Sequence, residues 1–266
     1  MIFEYIKFLI STKDTHSLLL HSKTGLGKTY STIKYLKELN VEFEYTNGVV
    51  TAVALYKMLY DNNDKIIIID DVETIFQDDR IVNLLKAALW EVDGERKVTY
   101  KSSSKTLEGY PESFTYTGKI IILANDILGK NNLSFQALLS RCIKYEIQYS
   151  YNEIKQLSKE IVKYKDLTTD IKNKVVEVID NSITPQHFFN FRLLDRLISF
   201  IKYDINNGET LFFNSIEIDE DLNIFLDIIK NNKSVTEQVN KYIEVTGKSR
   251  ITFFRKKKKL IKEGII

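Results

Sequence analysis

At 266 residues the chain is long for one compact domain and short for three, so one core with one or two small appendages is expected. Its 44% hydrophobic and 28% charged residues can close a core, which excludes wholesale disorder. The formal net charge of +2 hides an asymmetry: residues 236–266 hold nine Lys/Arg against three acids, net +6, while the other 235 residues sum to −4. A basic end on an acidic body predicts a terminal module facing a polyanion, with a solvated lysine-rich helix end as the alternative. Cys142 is the one cysteine and forms no intramolecular disulfide; with His16, His21 and His187 it makes no zinc site at a usual spacing. No apolar run approaches the roughly 18 residues of a membrane span, so a soluble cytoplasmic protein is expected.

In chain order, residues 1–10 are apolar apart from Glu4 and Lys7 and read as a core-packing helix; no small-residue cleavage site follows, which argues against a signal peptide. Residues 17–21, 65–70 and 119–124 read as strands buried on both faces, with 143–147 as a further strand near an edge. Between them, 28–39, 49–60 and 81–90 carry helical spacing. That alternation predicts a parallel sheet covered by helices. Two β-rich runs, 96–100 and 113–117, predict a hairpin with a long loop. From residue 151 the pattern turns helical, with apolar stripes such as Leu193, Leu194, Leu197, Ile198 and Ile201, and a helix at 221–231 leads to the basic end. Three parts are expected: an α/β core over 1–150, a small helical domain over 151–210 and a terminal module over 211–266.

The first strand runs directly into Ser22, Lys23, Thr24, Gly25, Leu26, Gly27, Lys28 and Thr29, with a long helix behind. This is the phosphate-loop pattern G-x-x-x-x-G-K-[ST] with Ser22 in place of its first glycine. Gly25 and Gly27 let successive backbone N–H groups turn toward phosphate oxygens, where the helix N-terminus adds its positive end. Lys28 would reach the β- and γ-phosphates of ATP, and Thr29 would offer its hydroxyl to Mg²⁺. A second strand, 66–69, ends in Asp70 and Asp71. Asp70 stands where a carboxylate holds the metal. Asp71 takes the next place, where a glutamate commonly polarises the attacking water; aspartate is one methylene shorter, so Glu73 is the alternative.

These motifs, over about residues 15–205, resemble the AAA+ superfamily. The resemblance implies a P-loop NTPase core with a three-layer parallel sheet, a helical lid, and nucleotide-dependent assembly of identical subunits into a ring or spiral. It makes Asn125, at the end of the 120–124 strand, a polar sensor near the γ-phosphate, and Arg141 a finger reaching the neighbouring subunit's nucleotide. It makes Arg192, at the start of a lid helix, a sensor arginine, with Arg196 as the alternative. The 96–117 hairpin looks like the pre-sensor hairpin of some AAA+ branches and of superfamily 3 helicases, which implies single-strand contact through Lys101 and Lys105, or else an ordinary solvated hairpin.

Residues 234–262 resemble a helix-turn-helix. Ser234 with Glu237 makes a capping box, Gly247 falls in the turn, and Ser249 caps the second helix. On that helix Phe253 and Leu260 share one face, and Arg255, Lys258, Lys259 and Lys262 fall on the other, suited to the major groove and its phosphates. Arg250 is placed to read a base edge, and residues 264–266 to begin a wing. The leading expectation is a DNA-associated AAA+ ATPase in replication, an initiator or helicase loader with a replication protein among its partners. The rivals are a superfamily 3-like ring helicase and a nucleotide-switched transcription regulator.

Overall fold

Runs of isoleucine and leucine form strands here because branched side chains on both faces meet apolar neighbours above and below the sheet. A computed structural model describes residues 1–48, 50–70, 78–101, 105–125 and 133–266, apart from the side chains of residues 134 and 135. It divides into two compact units, Met1–Gln148 and Tyr149–Ile266. In the first, strands β1 (Ser17–His21), β2 (Phe43–Asn47) and β3 (Ile66–Asp70) join two later strands, β6 (Lys119–Ala124) and β7 (Ile143–Glu146). All pair parallel, in the order β2-β3-β6-β1-β7. Strands β4 (Lys97–Thr99) and β5 (Ser113–Thr115) form a separate antiparallel hairpin.

Helices α1 (Ile2–Ser11), α2 (Lys28–Glu38), α3 (Ala52–Asp61), α4 (Asp79–Leu89) and α5 (Leu133–Leu139) complete the first unit. The opening helix packs as expected: Ile2, Ile6 and Leu9 are buried. The Lys119 ammonium donates to the carbonyls of Leu9, Thr12 and Thr15 at 2.5, 2.5 and 3.0 Å, tying the end of α1 to the sheet. Arg96 is buried and donates to the carbonyls of Ala88 at 3.0 Å and Gly118 at 2.8 Å, fixing the hairpin between α4 and β6.

Two sequence expectations need correction. Strand β2 went unread because Phe43, Glu44, Tyr45 and Thr46 are only partly buried at a sheet edge, so no apolar run marks them. The helix placed from residue 49 begins at Ala52, where the Thr51 hydroxyl accepts from the Ala54 N–H at 3.2 Å; residue 49 itself lies outside the described residues.

The second unit is helical: α6 (Tyr151–Tyr164), α7 (Thr169–Asn181), α8 (Phe191–Tyr203), α9 (Gly208–Asn214), α10 (Glu220–Asn231), α11 (Val235–Thr246) and α12 (Arg250–Lys262). One apolar cluster gathers Val162, Val175, Ile179, Leu197 and Phe212. Another gathers Phe225, Val239, Tyr242, Phe253 and Leu260. Helix α9 was not anticipated, since seven residues are too few to show a helical stripe. Among the described residues, no helix is long and apolar enough to cross a membrane.

Candidate functional site

The loop after β1 continues the sheet for one residue, the Ser22 N–H donating to the Ala124 carbonyl at 3.2 Å. It then turns through Gly25 (φ 80°) and Gly27 (φ 78°), backbone angles that a Cβ would strain. Gly27 immediately precedes α2 and has no side chain to cap it, so the first N–H groups of the helix are left to an anion. Lys28 is buried, with only 6% of its surface exposed. Its ammonium donates to Ser22 Oγ and Asn125 Oδ1, both at 2.9 Å, and more loosely to the carbonyls of Lys23 at 3.4 Å and Ser22 at 3.5 Å. Ser22, the departure from the loop pattern, thus positions the lysine.

Facing this lysine is an acid held by hydroxyls. Thr29 donates to Asp70 Oδ2 at 2.6 Å, and the Tyr45 phenol donates to the same oxygen at 3.1 Å. Strand order explains the convergence: β2, β3, β6 and β1 lie side by side and deliver Tyr45, Asp70, Asn125 and the Ser22 loop to the carboxyl-terminal side of the sheet. Tyr45 pairs with Ile68, two residues before Asp70, so phenol and carboxylate share a sheet face. Sequence reasoning missed Tyr45 because it missed β2. Asp71 and Glu73 lie outside the described residues.

Mg·ATP fits these groups. A hydroxyl and a carboxylate touching across 2.6 Å offer the hard oxygen ligands that Mg²⁺ takes, and the glycine turn presents backbone N–H groups to phosphate.

Within the first unit, Arg141 is not brought to this cluster. Arg141 stands between α5 and β7, and its carbonyl accepts from the Ser17 hydroxyl at 3.0 Å. It therefore sits at the opening end of β1, across the sheet from the loop, a strand length of about 16 Å at roughly 3.3 Å per residue. Its guanidinium lies 5.0 Å from the Trp90 ring and donates to the Ala137 carbonyl. Arg192 and Arg196 belong to the second unit and are exposed; Asn190 caps α8 by accepting from Arg192 N–H at 3.0 Å, and Arg196 donates to the Ser215 carbonyl at 3.3 Å.

In the hairpin, Lys101 and Lys105 are exposed, whereas Tyr100 and Phe114 pack onto Tyr56. The aromatics are therefore committed to the unit's own core.

The last three helices carry the local features read from sequence. Ser234 and Glu237 cap α11 reciprocally, Gly247 ends it at φ 67°, and the Ser249 hydroxyl accepts from the Thr252 N–H at 3.3 Å. Phe253 and Leu260 are buried, while Arg250, Arg255, Lys258, Lys259 and Lys262 are exposed. Lys256 turns inward to Asp221 at 2.9 Å and Lys257 to Gln238 at 3.1 Å. Lys248 and Lys256 together hold the Asp221 carboxyl below the usual aspartate range. No strand forms at 264–266, correcting the expected wing. The Ile265 N–H instead donates to the Leu260 carbonyl at 2.9 Å, closing α12, and Ile265 packs on the core.

A parallel five-strand sheet with a phosphate-type loop after its inner strand β1, an acid on β3 and an amide after β6 defines the P-loop α/β fold of AAA+ type. Among solved structures, a lysine-to-arginine point mutant of RuvB from Thermotoga maritima has a similar fold: TM-score 0.50, 16% identity, covering 86% of this chain and 76% of that one. A proline-to-glycine mutant of the same protein gives 0.50 and 16%, over 86% and 77%. A third structure, described as the RuvB Holliday junction branch migration motor, gives 0.49 and 14%, over 86% and 74%. No protein-family model and no curated protein matches the sequence.

Proposed function

We propose that this chain is an AAA+ ATPase that binds and hydrolyses Mg·ATP between subunits and acts on DNA. The observation carrying this reading is the paired contact at the carboxyl ends of the strands, Lys28 with Asn125 and Thr29 with Asp70. Lys28, released from Ser22 and Asn125, neutralises the terminal phosphates, and the backbone of residues 22–29 cradles them. Thr29 and Asp70 hold the metal, with Tyr45 orienting the carboxylate. Bound Mg²⁺ supplies charge neutralisation on the phosphate oxygens. Asn125 orients the attacking water and Asp71 accepts its proton, with Glu73 as the alternative base. Arg141 stands at the opposite end of β1 from its own loop, which suits action on the nucleotide of a second copy. Arg192, or Arg196 one turn later, senses nucleotide from the lid.

The exposed cations of α12 support duplex binding, and Lys101 and Lys105 support a weaker single-strand contact. We assign the machine to replication, as an initiator or helicase loader. The aspartate at position 71 favours one second reading, a nucleotide-switched DNA-binding regulator with little turnover.

The test is calorimetry with Mg·ATP on wild type and Lys28→Ala, followed by light scattering with ATP and DNA. Binding is expected for wild type alone, together with ATP-dependent assembly on duplex. Equal binding by Lys28→Ala overturns the reading, and unwinding of a forked duplex replaces loader with ring helicase.

A further inference from the structure

Near its N-terminus the outward face of α12 carries two apolar side chains that its charge does not explain. Phe253 and Leu260 anchor the helix in the core it shares with α10 and α11. At about 100° per residue, Ile251 points directly away from Leu260, and Phe254 falls about 60° from Ile251 on the same outward side. Ile251 is 70% exposed and Phe254 40% exposed. Five exposed cations, Arg250, Arg255, Lys258, Lys259 and Lys262, surround and follow them. The Arg250 guanidinium rests over the Phe254 ring at 5.6 Å. Lys256 and Lys257 are turned inward to Asp221 and Gln238, so the outward surface is an apolar pair near the N-terminus of the helix, with exposed Ile261 two turns further on, within a basic field.

Ile251 and the part of Phe254 left exposed beside Phe253 gain free energy on meeting an apolar group. The surrounding cations require that group to belong to a polyanion. In the major groove of duplex DNA, the apolar group presented on base edges is the thymine C5 methyl. Position agrees: in a helix-turn-helix the N-terminal residues of the second helix approach base edges, and long cations further along reach phosphates. A membrane-surface helix needs an unbroken apolar stripe along its length, whereas here the exposed cations Arg255, Lys258 and Lys259 separate the pair from Ile261.

We propose that Ile251 and Phe254 read thymine methyl groups in the major groove, making the module selective for duplexes with thymine in the contacted positions. The proposal rests on the duplex-binding reading above. The experiment measures binding of the full chain, by fluorescence anisotropy at fixed salt, to an alternating adenine–thymine duplex and to the same duplex with uracil, which lacks only the methyl. The thymine duplex is expected to bind about fourfold more tightly for each methyl buried. Ile251→Ala with Phe254→Ala abolishes that preference, while Lys258→Ala weakens both duplexes alike, since a phosphate contact is blind to the base. Both substituted positions are exposed, and helical content by circular dichroism checks that the module stays folded.

Equal wild-type affinity for the two duplexes overturns the proposal and leaves DNA binding standing. A thymine preference that survives the double substitution reflects duplex shape and also overturns it. Failure to bind either duplex removes the underlying reading as well. Binding to anionic vesicles that depends on Ile251 and Phe254, without thymine preference, assigns the face to lipid instead.

Discussion

Asp70 sits 6% exposed at the end of a strand of four isoleucines, and hydrogen bonds from Thr29 and Tyr45 converge on one of its oxygens. Removing the phenol hydroxyl leaves the carboxylate less well oriented for a metal. Tyr45→Phe is therefore expected to raise the Mg²⁺ concentration for half-maximal ATPase activity about tenfold, the scale of a hydrogen bond to a charged group. ATP binding without metal should stay unchanged; equal loss of both would make Tyr45 a packing residue. Asn125 holds the Lys28 ammonium at 2.9 Å and is assigned to water orientation. Asn125→Ala should slow turnover about a hundredfold, as loss of one oriented polar group in a site does, with ATP affinity by calorimetry changed only a fewfold. Affinity lost in step with turnover would instead place the amide in binding.

The three-helix element α10–α12 is held by a tilted aromatic triad, Phe225, Tyr242 and Phe253, with ring centroids 5.1 to 5.5 Å apart. It is pinned outside by Asp221, which accepts from Lys248 at 2.7 Å and Lys256 at 2.9 Å. Those two lysines hold the Asp221 carboxyl low, Lys248 first. The resulting stability is present above the ordinary aspartate pKa of about 3.9 and is lost as pH falls through the lower native value. Because Asp221 and Lys248 are nearly half exposed, Asp221→Asn is expected to cost no more than about 1 kcal/mol in urea unfolding at neutral pH. The gap between variant and wild type should close on acidification below the native value. A gap independent of pH would place the effect in packing or in the cap of α10.

For the whole molecule, the decisive geometry is that Arg141 and Lys28 occupy opposite ends of the same sheet. A finger acting on another copy's nucleotide makes two inactive variants complementary. Lys28→Ala keeps Arg141 but binds no nucleotide, and Arg141→Ala keeps the loop but offers no finger. Each alone is expected to lose about a thousandfold in turnover or more. Mixing the two should restore ATPase activity, because some interfaces then join an intact loop to an intact arginine. Activity of the mixture no greater than that of the separate variants would remove the between-subunit role.

The glycine turn of residues 22–29, strands β1, β3 and β6, the placement of Asp70 at a strand end and the caps at Ser234 and Ser249 were legible because each is written within a few neighbouring residues. A glycine turn needs only its own backbone, a buried strand its own apolar run, and a cap a partner three residues away. Strand β2 was not legible, since an edge strand can alternate Glu44 and Tyr45 without an apolar signature, and Tyr45 went with it. Only strand order brings Tyr45 beside Asp70 and puts Asn125 between Asp70 and the loop, because neighbours in a parallel sheet come from distant parts of the chain. The same topology sets Arg141 at the far end from Lys28. Local structure was thus written in neighbouring residues, and which groups meet was decided by the sheet.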